Sequence, residues 1–308
     1  MIRAFLILLA ILTTQPAYAA IAVSPQPYTT QSAFSGAKWT TAYAGTALNL
    51  ANYALTFDDE FNGPLDCVQG SFSGPSGQHK WYSYGSYGNA VFTSCAAITN
   101  NPCVVSGGQL NITVSYVGGQ WQSCELVAQS PYGEGFNQQY GVFTARIMLP
   151  ATIPTGMSLW PSFWQLSRYN GGLSNYTYTE LDTFENFGMA ANHVGNITTS
   201  FYEWPASSPA SGKISAGRTQ QFTTAENIYD GNWHTYTTKW TPTWRIVYLD
   251  GVELYRIPTI GQESNPAMYP IIDLNLYTDN AASPAATYTM SVDYVRVYAC
   301  TAASWANC

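Results

Sequence analysis

Leu110-Asn111-Ile112-Thr113-Val114-Ser115-Tyr116 alternates apolar and polar residues and runs into Gly118-Gly119. A period of two closed by glycines is the pattern of a half-buried β-strand followed by a turn. The pattern recurs along the chain. Phe143-Thr144-Ala145-Arg146-Ile147-Met148-Leu149 alternates and stops at Pro150, and Arg245-Ile246-Val247-Tyr248-Leu249 ends at the hairpin signal Asp250-Gly251. Met290 to Tyr298 is a further β-forming run. No long amphipathic helix interrupts these segments, and no repeat of fixed period is present. The expected fold is therefore all-β, a two-sheet sandwich in one domain over about residues 55–300. Residues 20–54, rich in Ala, Thr, Ser, Gln and Tyr, read as an N-terminal arm or linker, and residues 301–308 as a C-terminal tail.

The 308 residues hold 11 Lys and Arg against 18 Asp and Glu, with 10 Trp, 23 Tyr and 13 Phe. So few charges beside so many aromatics exclude a disordered polyampholyte. A net charge of −7 leaves no basic footprint for phosphates, so neither nucleic acid nor an anionic membrane surface is an expected partner. At the N-terminus, Arg3 precedes the apolar run Ala4 to Leu12, and Ala17-Tyr18-Ala19-Ala20 follows. This reads as a signal peptide over residues 1–19, cut after Ala19, because the apolar run is far shorter than the ~20 residues a span requires. Loss of Arg3 then moves the charge from −7 to −8. The expected location is secreted or periplasmic, with no membrane contact after cleavage and a monomeric state.

An even set of cysteines in an exported chain points to disulfides. Cys67, Cys95, Cys103, Cys124, Cys300 and Cys308 allow many connectivities. The pair the sequence favours is Cys300 with Cys308, which brackets the polar tail. The spacings contain no paired C-x-x-C, which argues against zinc.

Glu180-Leu181-Asp182-Thr183-Phe184-Glu185 concentrates acids where strands normally lack them. Alternation sets Glu180 and Asp182 on one face, about 6.6 Å apart, but turns Glu185 to the other. One extra residue at Thr183-Phe184, a β-bulge, restores Glu185 to the row. Three crowded carboxylates cannot all ionise easily, so one is expected to keep a proton, as a general acid must. Such a row suits glycoside hydrolysis, in which one carboxylate attacks the anomeric carbon and another protonates the leaving oxygen. A solvated edge strand and a calcium-binding cluster are the competing readings.

This segment resembles the bulged E-x-D-x-x-E signature of glycoside hydrolase family 16. The surrounding chain is similar to that family in order: Thr56 to Gly63, Tyr140 to Ile147, Leu159-Trp160-Pro161-Ser162-Phe163-Trp164-Gln165-Leu166, Asp230 to Tyr236, Val247 to Gly251, and Val292 to Tyr298. The resemblance implies a concanavalin A-like jelly-roll β-sandwich with a concave substrate cleft, and retention of anomeric configuration. It implies Glu180 as nucleophile, Asp182 as the residue that orients and tunes it, and Glu185 as acid/base. Arg146 matches a cleft arginine of the family. Trp160 and Trp164 offer flat faces for pyranose rings, with core packing as the alternative for one of them and Trp160 favoured for the cleft. Asn275 and Tyr277 alternate onto one face and resemble a sugar-binding pair, or else are plain sheet surface.

Two departures stand out. Thr144 replaces a common acidic residue two positions before Arg146, and Tyr202 stands where many members have histidine, offering a phenol without charge near neutral pH. His193 is nearby in sequence, and a loop histidine is more often incidental; His79 and His234 carry no distinctive signal. Glu60 and Asp293 match positions where relatives hold a structural calcium, with ordinary surface charges as the alternative. No cofactor is expected for catalysis. Asn111, Asn175 and Asn196 head glycosylation triplets that matter only in a glycosylating host.

The expected function is a secreted retaining endo-β-glycanase acting on a β-1,3- or mixed β-1,3/1,4-glucan. The alternatives are another polysaccharide (a galactan such as agar or carrageenan, or a bacterial exopolysaccharide), transglycosylation, or a non-catalytic carbohydrate-binding sandwich. A strongly negative chain disfavours sulfated and uronic polymers.

Overall fold

The structure is a computed structural model that describes residues 47–85, 88–97, 100–151, 159–167, 178–187, 197–204, 220–223, 228–259, 266–277 and 287–308. The segments expected to be a signal peptide and most of an N-terminal arm, together with His193, Asn175 and Asn196, lie outside the described residues.

The strands are, in order, β1 (Tyr53–Asp59), β2 (Cys67–Gln69), β3 (Trp81–Ser83), β4 (Val91–Phe92), β5 (Cys103–Ser106), β6 (Gln109–Val117), β7 (Gln120–Ser123), β8 (Glu125–Val127) and β9 (Gly141–Met148). They continue with β10 (Leu159–Ser167), β11 (Tyr178–Glu185), β12 (Thr198–Trp204), β13 (Gln220–Thr223), β14 (Trp233–Trp240), β15 (Trp244–Leu249), β16 (Val252–Pro258), β17 (Met268–Leu276) and β18 (Tyr288–Cys300).

Two sheets form the sandwich. A ten-stranded sheet runs β16-β15-β14-β9-β18-β6-β7-β4, with β1 added on β18 and β5 on β6. An eight-stranded sheet runs β13-β12-β11-β10-β17-β8-β3-β2. The alternating segments of the sequence fall where their period demands. In β6, Leu110, Ile112 and Val114 are fully buried while the residues between them are half-exposed. In β9, Phe143, Ala145 and Ile147 enter the core and Arg146 points away from it. Between the sheets Phe184 of β11 stacks on Tyr236 of β14, with ring centroids 4.2 Å apart. The Thr183 and Thr238 hydroxyls, from the same two strands, hydrogen-bond at 2.8 Å.

Disulfides staple the edges: Cys67–Cys95, Cys103–Cys124 and Cys300–Cys308. The favoured Cys300–Cys308 pair is thus formed, and it closes a tail ending in a short 3-10 turn over Trp305–Asn307. Closing a loop removes freedom from the unfolded chain. The tail is also tied to β1 and the residue before it: Asn52 Nδ2 donates to the Asn307 carbonyl at 2.6 Å and the Tyr53 hydroxyl to the Cys308 carbonyl at 3.1 Å.

A pH-sensitive lock ties β14 to the tight turn between β15 and β16. Asp250 and Gly251 both take positive φ, 50° and 75°, as the tight turn requires. Buried His234 sits between Asp250, 2.8 Å from Nδ1, and Asp230, 3.2 Å from Nε2. The hydrogen bond to Asp250 raises the His234 pKa; burial opposes it, and the charges of Asp250 and Asp230 add to the rise. A raised folded-state value means the stabilisation is fully present below the unfolded value of about 6.5 and is lost as pH rises through the folded value. The thermal midpoint of the wild type is therefore expected to fall as pH climbs from slightly acid to alkaline, and His234→Gln to flatten that slope. An unchanged slope in the variant would remove His234 as its cause.

Candidate active site

The acid strand β11 is central to the eight-stranded sheet, between β10 and β12. Its register carries one extra residue. Asp182 pairs with Ser200 and Glu185 with Thr198, so three steps on β11 match two on β12. On the other side Phe184 pairs with Phe163 and Asp182 with Trp164, which leaves Thr183 as the unpaired residue. Thr183 and Phe184 both face the sandwich interior, where Thr183 also donates to Gln165 at 3.0 Å. The bulge is thereby fixed from below, and Glu185 returns to the outer face with Glu180 and Asp182. Asp182 is 2% exposed and Glu185 8%, whereas Glu180 is half-buried.

Both tryptophans of β10 stand on that same face. Trp160 Nε1 donates to Glu185 Oε1 at 2.9 Å. Trp164, opposite Asp182 in register, donates from Nε1 to Asp273 Oδ2 at 2.9 Å. Pro161 lies between them, just outside the pairing with β11. Its carbonyl, on the β11 side, accepts from the backbone N–H of Asn186, and the pairing with β11 begins one residue later at Ser162.

Tyr277 is exposed and packs edge-on against Trp160 with centroids 5.6 Å apart. Asn275 lies opposite Trp160 in register but is fully buried. Its Oδ1 accepts the backbone N–H groups of Ala90 at 2.9 Å and Leu276 at 2.7 Å. The segment before β4 is clamped onto this side chain: at Gly88, with φ of 70°, an added Cβ would sit 2.7 Å from Asn275. The Asn275 carbonyl oxygen is thus given to the backbone. Tyr202 pairs with Glu180 along the backbone, and its side chain lies outside the described residues.

Arg146 requires a correction. It is on β9 in the other sheet, points away from the core, and is bound to Asp293 Oδ2 at 2.6 Å beside the Trp233 ring. The sandwich interior separates it from the carboxylate row. Thr144 of the same strand shares a 2.6 Å hydroxyl bond with Thr237 of the ten-stranded sheet, so it too belongs to that face. The proposed calcium ligands are also committed elsewhere. Glu60 accepts both Nε and Nη2 of Arg296, at 2.6 and 2.7 Å, and Asp293 accepts Arg146. A hard dication needs six or more oxygens, and these carboxylates are already neutralised by guanidinium groups. Among the described residues no group of three or more His, Cys, Asp or Glu is placed to hold a metal ion. Glu60 and Asp293 as arranged do not fit calcium.

The structure adds residues that sequence reasoning passed over. Asp273 and Glu125 are directly paired across β17 and β8, both buried, and Gly85 donates its backbone N–H to Glu125 at 3.0 Å. Asp273 shares the alternation of Asn275 and Tyr277, so an acid at that spacing in an otherwise apolar strand was an available signal. Phe187 was unmarked; it contacts both Trp160 and Tyr277, with centroids 5.6 and 4.9 Å away.

A β-sandwich with three carboxylates in a row on one outer face, flanked by aromatic rings, has the layout of a polysaccharide-cleaving enzyme. The family described as glycosyl hydrolases family 16 matches residues 96–296, and the chain belongs to that family of glycoside hydrolases. Among its relatives is the glucan endo-1,3-beta-glucosidase A1 of Niallia circulans, 25% identical over 268 residues. That match takes in 81% of this chain and 38% of the relative, so the chain spans well under half of that protein. The fold is also that of the laminarinase from Flavobacterium sp. UMI-01, with a TM-score of 0.56 at 20% identity, over 80% of this chain and 100% of that one. The kappa-carrageenase of Pseudoalteromonas carrageenovora, solved with an oligosaccharide of kappa-carrageenan, has a TM-score of 0.57 at 17% identity, over 80% of this chain and 94% of that one.

Proposed function

We propose that this chain is a secreted or periplasmic retaining endo-β-glycanase that cuts a neutral β-1,3- or mixed β-1,3/1,4-glucan by double displacement. The observation that carries this reading is the bulge at Thr183, which sets Glu185 back in line with Glu180 and Asp182. Glu180 attacks the anomeric carbon while Glu185 protonates the departing oxygen; Glu185 then takes a proton from the water that releases the sugar. Asp182, buried between them in sequence, orients Glu180 and disfavours simultaneous ionisation of the row.

Charge supports a neutral substrate. The face of the sheet that carries the row holds the acids Glu125, Glu180, Asp182, Glu185 and Asp273, and the described strands of that sheet contain neither Lys nor Arg. Such a surface repels a sulfated or uronic chain at close range. The test is product profiling on laminarin, mixed-linkage glucan, agarose and κ-carrageenan, with Glu180→Gln as control. Short oligosaccharides from a glucan with wild type alone are expected. Cleavage of κ-carrageenan in preference to both glucans would reverse the charge argument, and binding without cleavage of any polymer would favour a carbohydrate-binding module.

A further inference from the structure

The indole of Trp160 does more than offer a flat face. Its N–H is aimed at Oε1 of Glu185, 2.9 Å away. The ring is held in that pose by two aromatic neighbours that also touch each other, Tyr277 and Phe187. Tyr277 is anchored in turn, because its carbonyl accepts Asn89 Nδ2 at 3.0 Å. The groups facing Glu185 from the neighbouring strands are Ser162 of β10 and Thr198 of β12, with Asp182 and Glu180 on its own strand and Asp273 beyond Ser162. Among the described residues of that sheet no cation faces it.

We propose that Trp160 is a positioning residue for the acid/base Glu185, holding Oε1 so that Oε2 is the oxygen that exchanges the proton. This rests on the reading of Glu185 as acid/base. An indole N–H is a donor only, so it bonds Oε1 whether Glu185 is charged or neutral provided the proton sits on Oε2. In the first step Oε2–H gives its proton to the leaving oxygen as the bond from Glu180 to the anomeric carbon forms and the glycosidic bond breaks. In the second, Oε2 takes a proton from water as the water oxygen bonds the anomeric carbon and Glu180 leaves. Oε1 stays on the indole throughout, and the carboxyl plane does not turn between steps.

Trp160→Phe keeps an aromatic body against Tyr277 and Phe187 and deletes the donor. On a glucan its kcat is expected to fall about 10- to 100-fold, the range for a misplaced catalytic group, with KM changed less than about twofold. With a dinitrophenyl glycoside, whose leaving group needs no proton, the first step should change little. The donor favours the ionised carboxylate, so its removal moves the basic limb of kcat/KM to higher pH, by about one unit. An isosteric benzothienyl side chain at position 160, with sulfur for N–H, must reproduce these effects, and it serves in place of the Phe variant should that fail to fold. A rise in KM with kcat and the basic limb unchanged would overturn the proposal and leave Trp160 a sugar platform. Inactivity of the wild type on every glycan would fail the functional reading alone. The positioning contact is then read without substrate, from the carbon-13 titration of the Glu185 carboxyl, assigned against Glu185→Gln. An unmoved midpoint in Trp160→Phe overturns it, and an upward move sustains it.

Discussion

Glu180→Gln is expected to lower glucan hydrolysis on the order of 10⁴-fold or more, the loss typical when a covalent nucleophile is removed. The amide matches the carboxylate in shape and sits half-buried on the outer face of β11, where its neighbours in register are Leu166 and Tyr202. The substitution removes charge without changing side-chain volume, so the fold and the affinity for glucan oligosaccharides should persist. Loss of turnover with binding retained separates a chemical role from a structural one. Hydrolysis above about one per cent of wild type would place the nucleophile elsewhere.

Glu185→Ala is expected to cost 10²- to 10⁴-fold on a polymeric glucan, the usual contribution of a general acid/base. The cost should depend on the leaving group. With an activated aryl glycoside the first step needs no proton, the glycosyl-enzyme on Glu180 accumulates, and the second step becomes limiting for want of a base. Azide, which needs no deprotonation, should then restore turnover and yield a glycosyl azide of the same anomeric configuration as the substrate. Absence of both leaving-group dependence and azide rescue would remove Glu185 as the acid/base. Because truncation also strands the Trp160 N–H that Glu185 accepts, some loss of thermal stability is expected alongside.

The strands were legible where one face is buried and the other is not. Residues 110–116 read as a strand because Leu110, Ile112 and Val114 enter the core, and 245–249 because Asp250-Gly251 closes a tight hairpin. The bulge was legible for a chemical reason: a regular strand would have buried the Glu185 carboxylate in an apolar core, at a large cost. Alternation gives the face of a residue within its own strand but not the sheet to which the strand belongs. The cleft reading of Arg146 came from the family resemblance, and alternation had no means to check it: β9 lies in the ten-stranded sheet and delivers Arg146 to Asp293. Contacts between distant segments were hidden for a related reason. Asn275 spends its carbonyl on Ala90, 185 positions away, and nothing local to β17 signals that partner. The acids Asp273 and Glu125 become a pair only once β17 and β8 are set side by side.

The central claim, that Glu180 and Glu185 work as nucleophile and acid/base through a covalent intermediate, is tested most directly by the anomeric configuration of the first product. Proton NMR during the opening minutes of laminarin cleavage should show the β-anomer first, with the α-anomer appearing only as the reducing end mutarotates. The α-anomer appearing first would mean single displacement by water, and would contradict the account.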